Sequence, residues 1–345
     1  VTQTFVSSPK VSRDLAVLER RFGEAKPSVY ITDQSGTALV DWSMSPLRAP
    51  LAGISKLYTL AMVLRECDRG AMSLDTPITD LLDSDTVGGL CVVRGKDLSH
   101  TITVAHLIGH QSGIRDYYRS NAKGTLSFEE HSRDRDRAWS ADQALEIAKH
   151  YPGLFAPGAK KKVGYSHTNY LLLGLILSDS TGMSFEQLIN LRISGPLGLK
   201  ATSVFTPSSY DTYFSTLPVR MGSKSIRAPR SLASFGAAGS LVATAKDAVS
   251  FMRAFWAGKL FDPSWLEVLQ TNQRKYLEGV RMGMGLMIGT RNNTKTPIVG
   301  HIESSGTALL LDTYTGMTGF LALNTAEKRA YSYETLARIM GRVSD

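Results

Sequence analysis

The sequence predicts an α/β fold of the α+β kind: one antiparallel sheet flanked by helices, plus an inserted, mainly helical lobe. Three observations predict it. Strand-like segments occur near both ends of the chain, at 28–42 and again beyond 285. Segments of helical periodicity flank them. From Leu74 to Ser231 the signals are helices and irregular loops, with few alternating strands. Distant segments with apolar faces bury them most simply in one layered sheet. The expected division is therefore 1–73 with 232–345 for the sheet lobe and 74–231 for the helical lobe. A cleft between the two is the expected ligand site.

The elements follow in order. Leu15, Leu18 and Phe22 fall at helical spacing, so an amphipathic helix is expected from about Ser12 to Phe22. Ser28 to Thr32 and Thr37 to Trp42 read as strands, and Asp33-Gln34-Ser35-Gly36 between them is turn chemistry, which makes a hairpin. After Gly53 a helix places Leu57, Leu60, Ala61 and Leu64 on one face and closes near Gly70. Asp247 to Trp256 is a further helix, with Val249, Phe251, Met252 and Phe255 apolar. Three strand-like segments come next, at 285–289, 307–311 and 319–324. The last helix runs from about Tyr333 to Val343. No internal repeat or low-complexity segment interrupts this plan.

Bulk composition narrows the class. A chain of 345 residues with 43% hydrophobic and 20% charged residues is globular and can bury a sizeable core. The longest apolar runs are too short to span a bilayer. No charged-then-apolar leader follows Val1, so any signal peptide is expected to be removed or absent. Two cysteines, Cys67 and Cys91, make no disulfide framework, and Cys67 reads as a buried free thiol. The net charge of +8 raises nucleic acid as a partner. The basic residues are scattered or mixed with acids, however, and Lys160-Lys161-Lys162 lacks the interleaved aromatics of a single-strand binder. No nucleic-acid partner is expected.

The chemistry concentrates in a few blocks. Pro50-Leu51-Ala52-Gly53-Ile54-Ser55-Lys56-Leu57-Tyr58-Thr59 opens the second helix. Further blocks are Ile102 to Ile114, Phe155-Ala156-Pro157-Gly158, Tyr165-Ser166-His167-Thr168-Asn169-Tyr170, Pro196-Leu197-Gly198-Leu199, Ala237-Ala238-Gly239-Ser240-Leu241 and Gly300-His301-Ile302-Glu303. Together these resemble the serine β-lactamase and penicillin-binding-protein family. The resemblance is to the branch that holds class C β-lactamases, D-alanyl carboxypeptidases and aminopeptidases, and related esterases. The resemblance runs from the hairpin to the last strands and implies the two-lobed β-lactamase-like fold.

In that family a serine three residues before a lysine attacks a carbonyl and forms an acyl-enzyme. The lysine and a second-motif tyrosine handle the proton, and two backbone N–H groups hold the oxyanion. The resemblance implies Lys56 as the lysine, Tyr165 as the tyrosine and His301 as the first residue of the third motif. It also exposes three departures. Gly53 stands at the nucleophile position. His167 stands where Asn holds substrate amides. Glu303 stands where the third motif has Gly. On a strand His301 and Glu303 share a face, so a carboxylate is expected beside Lys56, opposing carboxylate-bearing substrates.

Three readings of Gly53 stay open: a substituted serine, natural loss in a non-catalytic binding protein, or different chemistry recruiting His167, Lys56 or Glu303. The resemblance implies amide, lactam or ester acyl substrates, small or peptidic, with no cofactor and no metal. It points to a periplasmic or secreted setting and leaves the oligomeric state open. Other candidates carry less. Ser55 adjoins Lys56 and faces another side of the helix. Ser7 and Ser120 each precede a lysine, Lys10 and Lys123, in polar segments that cannot bury it. His106 and His110 lack the Glu of a zinc helix and read as structural. Gly283-Met284-Gly285 reads as a bend into a strand, and Lys160 to Lys162 as a solvated loop, or as an anion-attracting cleft mouth.

Overall fold

The computed structural model describes residues 3–6, 8–120, 127–290, 296–326 and 329–343. Among them nine strands form the main sheet: β1 (Gln3–Val6), β2 (Ser28–Thr32), β3 (Ala38–Ser43), β4 (Arg274–Leu277), β5 (Val280–Met282), β6 (Met287–Thr290), β7 (Pro297–Glu303), β8 (Thr307–Asp312) and β9 (Thr318–Ala322). Their order across the sheet is β1-β3-β2-β9-β8-β7-β6-β5-β4. Every neighbouring pair is antiparallel. The two ends of the chain meet where β2 pairs with β9, with Tyr30 opposite Phe320.

Five longer helices matter for the site: α1 (Pro9–Phe22), α2 (Ser55–Asp68), α3 (His167–Thr181), α4 (Ala245–Trp256) and α5 (Arg329–Val343). The central strands are apolar on both faces, as strands covered by helices on both sides must be. Leu309, Leu311 and Phe320 pack with α2, α3 and α4. Ala308, Leu310 and Leu321, one residue out of step, pack with α1 and α5. The α1 and α5 helices are tied by Arg342, which donates to both carboxylate oxygens of Asp14 at 2.6 Å. No helix of the described residues is long and apolar enough to cross a membrane. Cys67, partly exposed, and Cys91, buried, are free thiols.

Several expectations change in detail. The α1 helix starts earlier than its apolar spacing indicates, because Ser8 caps it and Pro9 takes the first turn. The hairpin β2–β3 lies where the turn residues place it. Strand β7 was legible only as a motif. The β4–β5 hairpin went unread, although Glu278-Gly279 is a two-residue turn between alternating segments and Gly279 has φ +71°.

Helix α2 differs most. The sequence indicates one apolar face, but every residue from Ser55 to Leu64 is buried. The helix runs through the middle of the protein, so its polar side chains need internal partners. Thr59 Oγ1 donates to Ala237 O at 2.7 Å and Lys56 Nζ to Ala238 O at 2.8 Å. At its far end the buried carboxylate of Glu66 accepts from Arg192. Gly70, at φ +74°, follows the last turn.

Tyr58 of α2 stacks on Phe251 of α4 with centroids 3.5 Å apart and planes 8° from parallel, and both are fully buried. Removing this ring leaves a large cavity beside the helix that carries the site. Phe251→Ala should cost about 3–5 kcal/mol of stability. Denaturant unfolding of both forms checks this. A loss below about 1 kcal/mol contradicts the packing described.

Candidate functional site

Three pieces of backbone converge on the cleft. The first is the turn Ala52–Ile54 that leads into α2. Ala52 there has φ +45°, a conformation that costs a non-glycine residue about 1 kcal/mol or more. The second is the segment leading into α3, whose N-cap is Ser166. The third is strand β7, where Gly300 at φ +154° brings its backbone against Leu309 of β8. A Cβ on Gly300 would lie 3.0 Å from the Leu309 carbonyl carbon.

These pieces bring together Gly53, Lys56, Tyr165, His167, His301 and Glu303. Lys56 is fully buried, and its Nζ lies 5.0 Å from the centroid of the Tyr165 ring and 5.7 Å from that of Tyr170. Tyr165 Oη donates to Glu303 Oε2 at 3.1 Å. The His301 ring lies 6.1 Å from that of Tyr165, and the His167 ring 5.6 Å. His301 and Glu303 thus share the sheet face that looks onto Tyr165, two residues apart on β7.

The Glu303 carboxylate is held from several sides. Its Oε1 accepts from the Ser304 backbone N–H and the Ser304 hydroxyl, both at 2.7 Å. Its Oε2 points at Gly53. A Cβ on residue 53 would lie within van der Waals overlap of Oε2, 2.9 Å from Glu303 Cδ and 2.7 Å from Tyr165 Oη. Any side chain at 53 is incompatible with Glu303 in this conformation. The carboxylate from the sheet fills the space that a side chain from the helix would otherwise take.

His167 is enclosed as the first residue of α3. Its Nδ1 lies 3.0 and 3.2 Å from the two oxygens of Asp116, and its backbone N–H donates to Asp116 Oδ1 at 3.3 Å. Burial would raise the Asp116 pKa, but His167 and Arg119 outweigh it and hold the carboxylate below its usual range. Burial lowers the His167 pKa, and Asp116 only partly offsets this while Lys56 adds to it. His167 is therefore neutral at neutral pH. Burial works against Arg119 too, but Glu303, Asp116 and Glu129 outweigh it and raise its pKa.

The cleft holds about 170 Å³ of space, lined by Gly53, His167, Arg119 and Glu303 on its polar side. Its apolar wall includes Leu232, Phe235, Met221 and Ile226. Sequence reasoning missed Asp116, Arg119 and Ser304. Asp116 and Arg119 sit in an irregular segment with no periodic signal. Ser304 directly follows a residue already singled out.

The remaining candidates lie elsewhere. Ser55 Oγ is buried and accepts from the Leu241 N–H at 3.1 Å. His106 Nδ1 accepts from the Thr103 N–H and His110 Nδ1 from the Ser166 N–H, both at 3.2 Å. Lys160 to Lys162 are exposed and do not line the cleft. Ser7 and Lys123 lie outside the described residues. No cluster of three or more His, Cys, Asp or Glu suited to a metal occurs among the described residues.

Comparison with known proteins agrees with this architecture. A D-amino acid amidase from Ochrobactrum anthropi SV3 superposes with a TM-score of 0.76 over 97% of this chain and 96% of that one, at 20% identity. A D-stereospecific amidohydrolase from Streptomyces sp. gives 0.72 over 92% and 96%, at 23% identity. In sequence, the chain is 28% identical over 147 residues to penicillin-binding protein 4 of Amycolatopsis lactamdurans, which is 42% of this chain and 33% of that protein. It is 30% identical over 115 residues to a putative D-alanyl-D-alanine carboxypeptidase of Salmonella newport, 33% of this chain and 24% of that protein. The chain thus spans a third or less of the length of these curated relatives. The fold is that of the β-lactamase-like serine hydrolases. The Beta-lactamase family model matches residues 47–339, and the chain belongs to that family.

Proposed function

We propose that this chain is a non-acylating member of its family, whose cleft takes a small or peptidic acyl ligand without covalent capture at residue 53. One observation carries the reading: the Glu303 carboxylate lies where a side chain on residue 53 would have to be. Losing a serine side chain and gaining a glutamate are then complementary changes. A serine replaced alone would leave a vacant pocket rather than one filled from the opposite strand. Lys56 and Tyr165, to which the resemblance would assign proton handling, lie side by side, but the partner of Tyr165 Oη is Glu303.

The carboxylate also takes the N–H of Ser304, a residue that lines the cleft, through its other oxygen. A donor already engaged with an anion is poorly disposed towards a developing oxyanion. The solved neighbours include an amidase in complex with D-phenylalanine. Ligands of that kind, an amino acid or its amide, are reasonable first probes.

Intact-mass spectrometry after incubation with a fluorophosphonate or a reactive β-lactam should show no adduct on the chain. Gly53→Ser alone should stay unlabelled, because its side chain and Glu303 compete for one space. Gly53→Ser with Glu303→Gly should label, since it restores the nucleophile, removes the carboxylate and releases the Tyr165 hydroxyl, 2.7 Å from the same point, to move aside. Labelling of the unaltered chain, or of Gly53→Ser alone at the rate of the double variant, contradicts the proposal.

Glu303 also sets ligand charge. Two like charges about 4 Å apart at an effective dielectric near 20 repel by roughly 4 kcal/mol, before neighbouring cations relieve it. Lys56 and Arg119 supply such relief, so a smaller effect is expected. A neutral amide should bind about tenfold more tightly than the matching carboxylate, and Glu303→Gln should narrow that ratio. Calorimetric titration of a matched pair measures it. Tighter binding of the carboxylate, unaffected by Glu303→Gln, contradicts the placement of Glu303 in the ligand's path.

A further inference from the structure

Asp116 and His167 form a second buried pair in the same cleft. Asp116 accepts from the His167 ring, the His167 backbone N–H and the Tyr118 N–H. An ionised carboxylate can only accept, so Nδ1 carries the proton and Nε2 a lone pair. The ring's hydrogen bonds to Asp116 are all made through Nδ1, and the ring itself lines the cleft although it is 4% exposed. Its orientation is fixed by rings on several sides: Tyr165 at 5.6 Å, Tyr118 and Phe235 at 5.4 Å, and Tyr117 at 6.4 Å. An imidazole anchored through one nitrogen, with the other free to take a proton, is the arrangement of a general base.

We infer that the Asp116–His167 pair is a general base that activates water for non-covalent hydrolysis of small neutral carboxylic esters in the cleft. This inference rests on the reading that residue 53 supplies no nucleophile. In the reaction, His167 Nε2 takes a proton from water as the water oxygen bonds to the ester carbonyl carbon. The carbonyl electron pair moves onto its oxygen, and Arg119 is the cation lining the cleft that can meet the charge. When the tetrahedral species collapses, the bond to the leaving oxygen breaks and His167 returns its proton there. The products are an acid and an alcohol, with the enzyme unchanged. The apolar wall of Leu232, Phe235, Met221 and Ile226 favours an ester with an alkyl or aryl group.

The charged and titratable groups that face or act on His167 are Asp116, Tyr117, Tyr118 and Arg119 from the preceding segment, Lys56 from α2, and Tyr165 at the entry to α3. Glu303 on β7 reaches it through Tyr165 and Arg119. Burial and the Lys56 charge lower the His167 pKa below its ordinary 6.5. The base form thus prevails at neutral pH, and the rate should fall towards acid pH as the ring is protonated.

The test is steady-state hydrolysis of p-nitrophenyl butyrate, followed from pH 5 to 8, with intact mass recorded alongside. The unaltered chain should turn over with no acyl adduct. His167→Asn carries the residue the family has at this place and should fold, as thermal melting will report. It should lose about a hundredfold or more in kcat, together with the acid limb of the pH profile. Asp116→Asn should lose at least tenfold, because the wrong tautomer is then held. If folded His167→Asn keeps the rate and pH profile of the unaltered chain, or if the unaltered chain shows no turnover above buffer, the inference is overturned and the non-acylating reading stands. An acyl adduct on the unaltered chain overturns that reading instead.

Discussion

Glu303 reaches from β7 to the start of α2, and Gly53 lets it arrive. The rest of the site depends on that contact. Tyr165 donates its hydroxyl to Glu303, Ser304 wraps the other oxygen, and Arg119 lies within its field. A buried ammonium such as Lys56 is tolerable only among compensating groups. Its carbonyl partner at Ala238 supplies a dipole, and Glu303 supplies negative charge in the same cluster. Removing Glu303 therefore alters more than the room at residue 53.

The fold holds this contact in place from both sides. Helix α2 is buried all round, so its first turn cannot shift without moving the packing against α3 and α4. Strand β7 lies inside the sheet, paired with β6 over Pro297–Gly300 and with β8 over Ile298–Glu303. Two rigid elements thus face each other across a single shared volume. That volume admits one side chain, which is why a residue with a Cβ at 53 and the present Glu303 conformation exclude each other.

Much of this was legible in the sequence. Lys56 and Tyr165 were found because they sit in specific blocks, and alternation along β7 placed His301 and Glu303 on one face. The hairpin β2–β3 was legible from Asp33 to Gly36, since turn chemistry is local. What could not be read depended on distant segments. Asp116 belongs to an irregular stretch whose position is set by α3, 51 residues later along the chain. Nothing in its neighbours marks it as the partner of His167. The complementarity of Gly53 and Glu303 is likewise a contact between segments 250 positions apart. The sequence shows both departures but not that one fills the other's place. The burial of α2 on every side was hidden too, because Leu57, Leu60, Ala61 and Leu64 mark one apolar face, while the carbonyl partners of Lys56 and Thr59 lie far along the chain.

The most direct measurement of this account is a double-mutant cycle on stability, with Gly53→Ala, Glu303→Gly and the two combined, each unfolded in denaturant. Alanine adds only a methyl group, so the cycle isolates shared space from catalysis. If Glu303 occupies the place of a residue-53 side chain, Gly53→Ala is destabilising alone and close to neutral beside Glu303→Gly. The coupling should then be about 1–3 kcal/mol. Additive effects, within about 0.5 kcal/mol, would mean that the two positions do not compete and that the central claim is wrong.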